Sequence, residues 1–181
     1  MINKNIFLIG MMGSWKSTIG KKLAHNMEMK FVDTDDAIEK IMSMKINEIF
    51  NEFGEHRFRE MESSYFIEKS KNKGYLFSTG GGIVLNKNNR NVLSNTGITI
   101  LLEASIDELK RRIKNTSKRP LLSNLNNIEE ELENIWEKRK RFYYSSADYI
   151  VKTDNLTPKI VLSKIIGECK FSWILHISIC K

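Results

Sequence analysis

Cysteine and proline are scarce in this chain, with two of each in 181 residues. The cysteines, Cys169 and Cys180, both lie near the C-terminus. Two late cysteines make neither a disulfide framework nor a metal-binding spacing, so a reducing cytoplasm is the expected compartment. Long apolar runs are also missing, and nothing approaches the roughly 20 residues that would span a bilayer. The N-terminal run MINKNIFLIGMMG is broken by Lys4 and by glycines and lacks a small-residue cleavage site, so it is not expected to be a signal peptide. With no Pro/Gly-rich linker, the chain reads as one domain over residues 1–168 followed by a tail, 169–181. Charge is abundant: the formal net charge is +7 and the isoelectric point is near 9.3. Such a balance favours anionic partners. The basic residues are dispersed and no reading motif accompanies them, which argues against nucleic acid. No membrane association is expected, and a monomer acting on a small molecule is.

Hydrophobic residues make up 41% of the chain, enough for a core. Buried strand-like runs fall at 6–9, 30–33, 75–78, 98–102 and 149–151. Helical periodicity is expected at 16–27, 36–42, 46–53, 55–71, 106–113, 128–144 and 158–166. Strands alternating with helices imply an α/β fold with a parallel sheet covered on both faces. Between two of these helices, residues 114–127 are polar and asparagine-rich and read as a mobile lid. The apolar tail FSWILHISICK, with His176, suggests either an extra packed element or an oligomer contact.

The run Gly10-Met-Met-Gly-Ser-Trp-Lys-Ser-Thr follows the first strand and opens the first helix. That is the setting of the phosphate-binding pattern G-x-x-x-x-G-K-[ST]. Backbone N–H groups around Gly13 and Ser14 would form an anion-binding concavity at a helix N-terminus. Lys16 would reach the β- and γ-phosphates of ATP, with Ser17 on Mg²⁺ and Thr18 beside it. Trp15 stands where the pattern's last glycine belongs, a place of unusual backbone angles and close approach to phosphate. The expectation is a loop of normal course, its indole directed outward, that binds ATP more weakly than a glycine loop.

Four more segments follow in order. Phe31-Val-Asp-Thr-Asp35 places Asp33 and Asp35 two apart at a strand end, on one face of the strand; a helix cap is the alternative reading. Glu55, Arg59 and Glu62 share one helix face, either as an exposed ion-pair ladder or as a frame holding Arg59 to bind a carboxylate. Gly80-Gly81-Gly82 after the third strand lets a ligand lie against the backbone. Arg119-Pro-Leu-Leu sits in the polar stretch, and Arg139-Lys-Arg-Phe-Tyr143 on the next helix. Arginines on a lid could close over phosphates, although a solvated face is the commoner use.

Taken in order, these segments closely resemble the shikimate kinases, from about residue 5 to residue 166. The resemblance implies a P-loop NTPase-type three-layer sandwich with a five-stranded parallel sheet and a lid. It also implies transfer of the γ-phosphoryl group of ATP to the 3-hydroxyl of shikimate, with Mg²⁺. On that basis Lys16 and Ser17 serve the phosphates and metal, and Asp33 lies near the metal shell. Asp35 binds hydroxyls and is the candidate base. Arg59 and Arg139 clamp the shikimate carboxylate, and Gly80, Gly81 and Gly82 line its ring. Arg119 contacts phosphates from the lid, and Arg112 lies against adenine. Two alternatives stay open: a binding protein with turnover impaired by Trp15, and a kinase for another hydroxy acid such as gluconate.

Overall fold

A computed structural model describes residues 4–113 and 127–167. Residues 114–126, with Arg119, and the tail with His176 lie outside the described residues. The strands are β1 (Asn5–Ile9), β2 (Lys30–Asp33), β3 (Tyr75–Ser78), β4 (Gly97–Glu103) and β5 (Tyr149–Lys152). They form one five-stranded sheet in the order β2-β3-β1-β4-β5. Every pairing is parallel. Helices α1 (Lys16–Asn26), α2 (Thr34–Met42), α3 (Ile46–Ser70), α4 (Lys87–Thr96), α5 (Ile106–Arg112) and α6 (Ile128–Ser146) surround it. A short 3₁₀ turn, Ile83–Leu85, precedes α4, and a further helix, α7, occupies residues 158–167. None of the helices among the described residues is long and apolar enough to cross a membrane.

The sheet is covered on both faces, which is why its central strands read as continuous apolar runs. Side chains alternate along β1, so Ile6 and Leu8 face one layer while Phe7 and Ile9 face the other. On the first face they meet Ile19 and Leu23 of α1 and Val161 and Ile165 of α7. On the second, Phe7 packs edge-on against Phe66 of α3 at 5.4 Å between centroids, and Leu109 of α5 and Ile135 of α6 complete the layer. A separate small core of Ile38, Ile49 and Phe58 joins α2 to α3 away from the sheet.

The two helical runs expected at 46–53 and 55–71 are both present, meeting within α3 at a kink where Gly54 has the non-helical angles φ 79° and ψ 164°. Two local features depart from the sequence pattern. Helix α4 carries no apolar stripe beyond Val92 and Leu93, and its four asparagines are weak helix formers. Tertiary contacts override propensity there. Leu93 is fully buried, Asn86 caps the first turn through Asn88 N–H, and buried Asn89 donates to Ser63 Oγ and Ile83 O. The second departure corrects the placing of Asp33 and Asp35 on one strand face. β2 ends at Asp33, and Asp35 already belongs to α2, because Asp33 Oδ1 accepts from the N–H groups of Asp35 and Asp36 and starts the helix.

Gly54 occupies a backbone region that is essentially closed to other residues, yet a Cβ there would touch nothing within 4 Å. Gly54→Ala should therefore cost about 1–3 kcal/mol from backbone strain alone. Urea unfolding measures this, and an unchanged midpoint would contradict the strained kink.

Candidate active site

All five strands point their carboxyl ends the same way, and the cleft lies along that edge. It encloses about 280 Å³. Its walls bring together Gly13, Trp15, Lys16, Ser17, Thr18, Asp33, Asp35, Gly81 and Arg112. The loop after β1 wraps around Lys16, whose Nζ donates to Gly10 O at 2.9 Å and Met11 O at 2.8 Å and lies 3.5 Å from the buried Ser14 Oγ. These bonds fold the ammonium group back into the concavity of the loop at the N-terminus of α1, the place where an anion is favoured.

Next to it, Ser17 Oγ donates to Asp33 Oδ2 at 2.6 Å and stands 3.2 Å from Ser78 Oγ. Asp33 thus serves both readings of the sequence. One carboxylate oxygen caps α2 while the other faces Ser17. A hydroxyl beside a carboxylate is a hard-oxygen pair suited to Mg²⁺, which takes one or two protein ligands and completes its shell with water and phosphate oxygens. No group of three or more His, Cys, Asp or Glu residues able to hold a metal occurs among the described residues.

The other end of the cleft is built around Gly80–Gly82. Gly80 N–H donates to the buried Thr34 Oγ1 at 2.8 Å, tying the turn to the start of α2. None of these three glycines has positive φ, so their need is for space. A Cβ on Gly80 would overlap Glu62 Oε1 and come 2.7 Å from Asp35 Oδ1. One on Gly82 would overlap the Arg59 guanidinium, and one on Gly81 would stand 3.5 Å from Arg139 Nη1. Missing side chains let Asp35, Glu62, Arg59 and Arg139 crowd onto one turn.

Arg59 is framed as its helix spacing suggests. It donates to Glu55 Oε1 at 3.1 and 3.2 Å and to Glu62 Oε2 at 2.7 Å. Burial pulls its pKa down, but Glu62 and Glu55 together hold it above its ordinary value. Glu62 is 1% exposed and its second oxygen, Oε1, is buried without a hydrogen-bond partner. A buried carboxylate oxygen left open costs free energy unless something donates to it. Sequence reading gave Glu62 only the work of holding Arg59; the orphaned oxygen facing Gly80 has no signature in the chain.

Sequence reading also missed Tyr143. Its hydroxyl donates to Gly81 O at 2.5 Å, fixing the glycine turn from α6. Burial pushes its pKa up to about 12, against the opposing pull of Arg139 alongside. Arg139 itself is only 5% exposed, sunk between α6 and the turn.

At the loop's opposite side Trp15 does not point outward. It has φ 69° and ψ 18°, left-handed angles that cost a residue with a Cβ roughly 1–2 kcal/mol. Its ring lies under Arg112, with Cζ 3.4 Å from the ring centroid, and packs against the α1 face of the core. The reason is the fixed guanidinium. Arg112 donates to Glu108 Oε1 at 2.9 Å, Thr153 Oγ1 at 3.0 Å and Thr153 O at 2.7 Å, which leaves a flat face for the indole.

Residues 12–170 match the family described as shikimate kinase. The chain belongs to the shikimate kinase family. It is 44% identical over 164 residues to the shikimate kinase of Buchnera aphidicola subsp. Schizaphis graminum, spanning 90% of this chain and 94% of the relative. The shikimate kinase of Thermodesulfovibrio yellowstonii is 41% identical, with 91% and 94% covered. A shikimate kinase from Acinetobacter baumannii, solved in complex with shikimate, superposes with a TM-score of 0.90 at 30% identity, covering 94% of each chain. A deoxyadenosine kinase from M. mycoides shares the fold alone, with a TM-score of 0.62 at 16% identity.

In this shikimate kinase family member the Tyr143 hydroxyl can be tested by pH. Its folded pKa is raised, so above pH 10 the unfolded chain releases a proton that the folded chain retains to about pH 12. Stability from this group is therefore complete below pH 10 and lost as pH rises through that window, by roughly 2–3 kcal/mol. Tyr143→Phe should flatten this part of the stability–pH curve; an identical fall in both proteins would contradict the buried, protonated phenol.

Proposed function

We propose that this chain transfers the γ-phosphoryl group of ATP to the 3-hydroxyl of shikimate. The observation that carries the reading is the meeting of Arg59 and Arg139 on the Gly80–Gly82 turn, with Asp35 across the same turn and beside the phosphate loop. Two guanidinium groups suit the planar, bidentate binding of one carboxylate. Glycine at 80–82 lets these charged groups pack against the backbone, and Gly81 lines the cleft where a small hydroxy acid would lie.

Phosphoryl transfer asks for in-line positioning and charge compensation more than for covalent chemistry. Arg59 and Arg139 fix the acceptor by its carboxylate. Asp35 orients the acceptor hydroxyl towards the loop and takes its proton as the phosphorus–oxygen bond forms. Lys16 releases the carbonyls of Gly10 and Met11 to neutralise phosphate oxygens, and the amides around Gly13 and Ser14 hold the remainder. Ser17 and Asp33 would hold Mg²⁺, which when bound screens the phosphate charge. Arg119 is proposed to add positive charge for the phosphates. The chain is read as a monomer, and the scarcity of cysteine supports a cytoplasmic setting.

Shikimate-dependent release of ADP tests the reading, and Lys16→Ala should abolish most of it while leaving the fold intact. Arg59→Ala and Arg139→Ala should each raise the shikimate KM by an amount worth about 1.5–3 kcal/mol, the value of a hydrogen bond to a charged group, with the ATP KM little changed. Arg139→Lys guards against unfolding at that buried position. Loss of ATP affinity in place of shikimate affinity would contradict the carboxylate clamp.

A further inference from the structure

The two ends of the cleft differ in kind, and that difference orients a nucleotide. Carboxylates and arginines gather at the Gly80–Gly82 turn after β3, the anion-binding loop follows the neighbouring β1, and Arg112 beneath Trp15 is bonded to Thr153 after β5, on the other side of β1. The transferred phosphate must face the acceptor, so the base must extend the other way, towards Trp15 and Arg112. This step rests on the nucleotide reading of the loop given above.

At that end the flat surface available for a base is already taken. The Arg112 side chain is 4% exposed, and its guanidinium is bonded to Glu108 and to both oxygens of Thr153. It therefore cannot swing to offer another face. The Trp15 indole covers it at 3.4 Å, ordinary stacking contact, which leaves no layer for a third ring between them. Trp15 is the movable partner, being only half-buried and hinged at its own side-chain torsions.

We propose that the Trp15 indole occupies the base's stacking place on Arg112, so that base and indole compete for one shelf and Trp15 sets nucleotide affinity and selectivity. The stacking gained by the base is offset by the cation–π contact it displaces. Binding then rests mainly on the phosphates, and the advantage of ATP over a triphosphate without a base is small. The backbone strain at residue 15 is a separate effect, since it acts on the loop and hence on either ligand.

Isothermal titration with a non-hydrolysable ATP analogue and with inorganic tripolyphosphate, both with Mg²⁺, separates these effects. The proteins are the full chain, Trp15→Ala and Trp15→Gly. Alanine removes the ring but keeps the Cβ at φ 69°. Competition predicts that both variants gain about five- to thirtyfold, one aromatic stack's worth, in affinity for the ATP analogue relative to tripolyphosphate, with tripolyphosphate binding to Trp15→Ala within about twofold of the full chain. The analogue should also raise acrylamide quenching of the wild-type tryptophan emission by freeing the indole, with no such rise in Trp15→Ala, which keeps Trp136 and Trp173. Weaker analogue binding by Trp15→Ala would overturn the proposal and make the indole a platform for the base. Equal tightening of both ligands, in Trp15→Gly only, would overturn it in favour of backbone strain. Failure of all three proteins to bind either ligand would overturn the nucleotide reading itself, and this proposal with it.

Discussion

The cleft depends on β3 lying between β1 and β2 in parallel register. Leu8 pairs with Ser78 on one side of β3, and Asp33 pairs with Ser78 on the other. Three chain segments far apart in sequence thereby leave the sheet at one level: the loop from Gly10, the helix start at Asp33 and the glycine turn after Thr79. Ser78 sits in the middle, with its hydroxyl 3.2 Å from Ser17. A one-residue slip of β3 would turn Phe77 towards the wrong layer and carry the glycine turn away from Asp35 and Arg59. The packing of Phe7, Phe66 and Phe77 on one face resists that slip, so core and site are specified by the same contacts.

A second constraint is electrostatic. Arg59 and Glu62 are brought together on a helix face and pressed against a turn that has no side chains of its own. Holding charges in so confined a place costs desolvation, which the mutual hydrogen bonds offset. Tyr143 and Thr34 secure the turn from opposite sides by bonds to Gly81 O and Gly80 N–H. The result is a glycine turn held from both ends with its polar groups fixed in place, the kind of preorganisation that lowers reorganisation cost in a reaction. The loop end differs, because the Lys16 ammonium rests on the backbone carbonyls of Gly10 and Met11.

Much of this was legible in the chain because the signals are local. Strand–loop–helix context identified Lys16 and Ser17, and helix spacing identified the Glu55–Arg59–Glu62 frame. Gly54 marked the break between two helical runs at the position where α3 turns. What was illegible is long-range. Helix α4 exists because Leu93 and Asn89 are buried by neighbours, and nothing in Lys-Asn-Asn-Arg-Asn announces that. The pairing of Asp33 and Asp35 was reasoned from strand geometry, but helix capping by Asp33 ended the strand first. Trp15 was expected to turn outward because the chain gives no hint that Arg112, 97 residues on, would be held flat against it by Glu108 and Thr153.

Central to this account is that the two ends of the cleft act on one reaction, with the acceptor hydroxyl and not water receiving the phosphoryl group. Phosphorus NMR of the chain incubated with ATP, Mg²⁺ and shikimate separates the two directly. The account predicts a growing phosphomonoester resonance coupled to a single ring proton of the acceptor, in step with ADP. ADP accompanied only by inorganic phosphate, at a rate indifferent to shikimate, would contradict it.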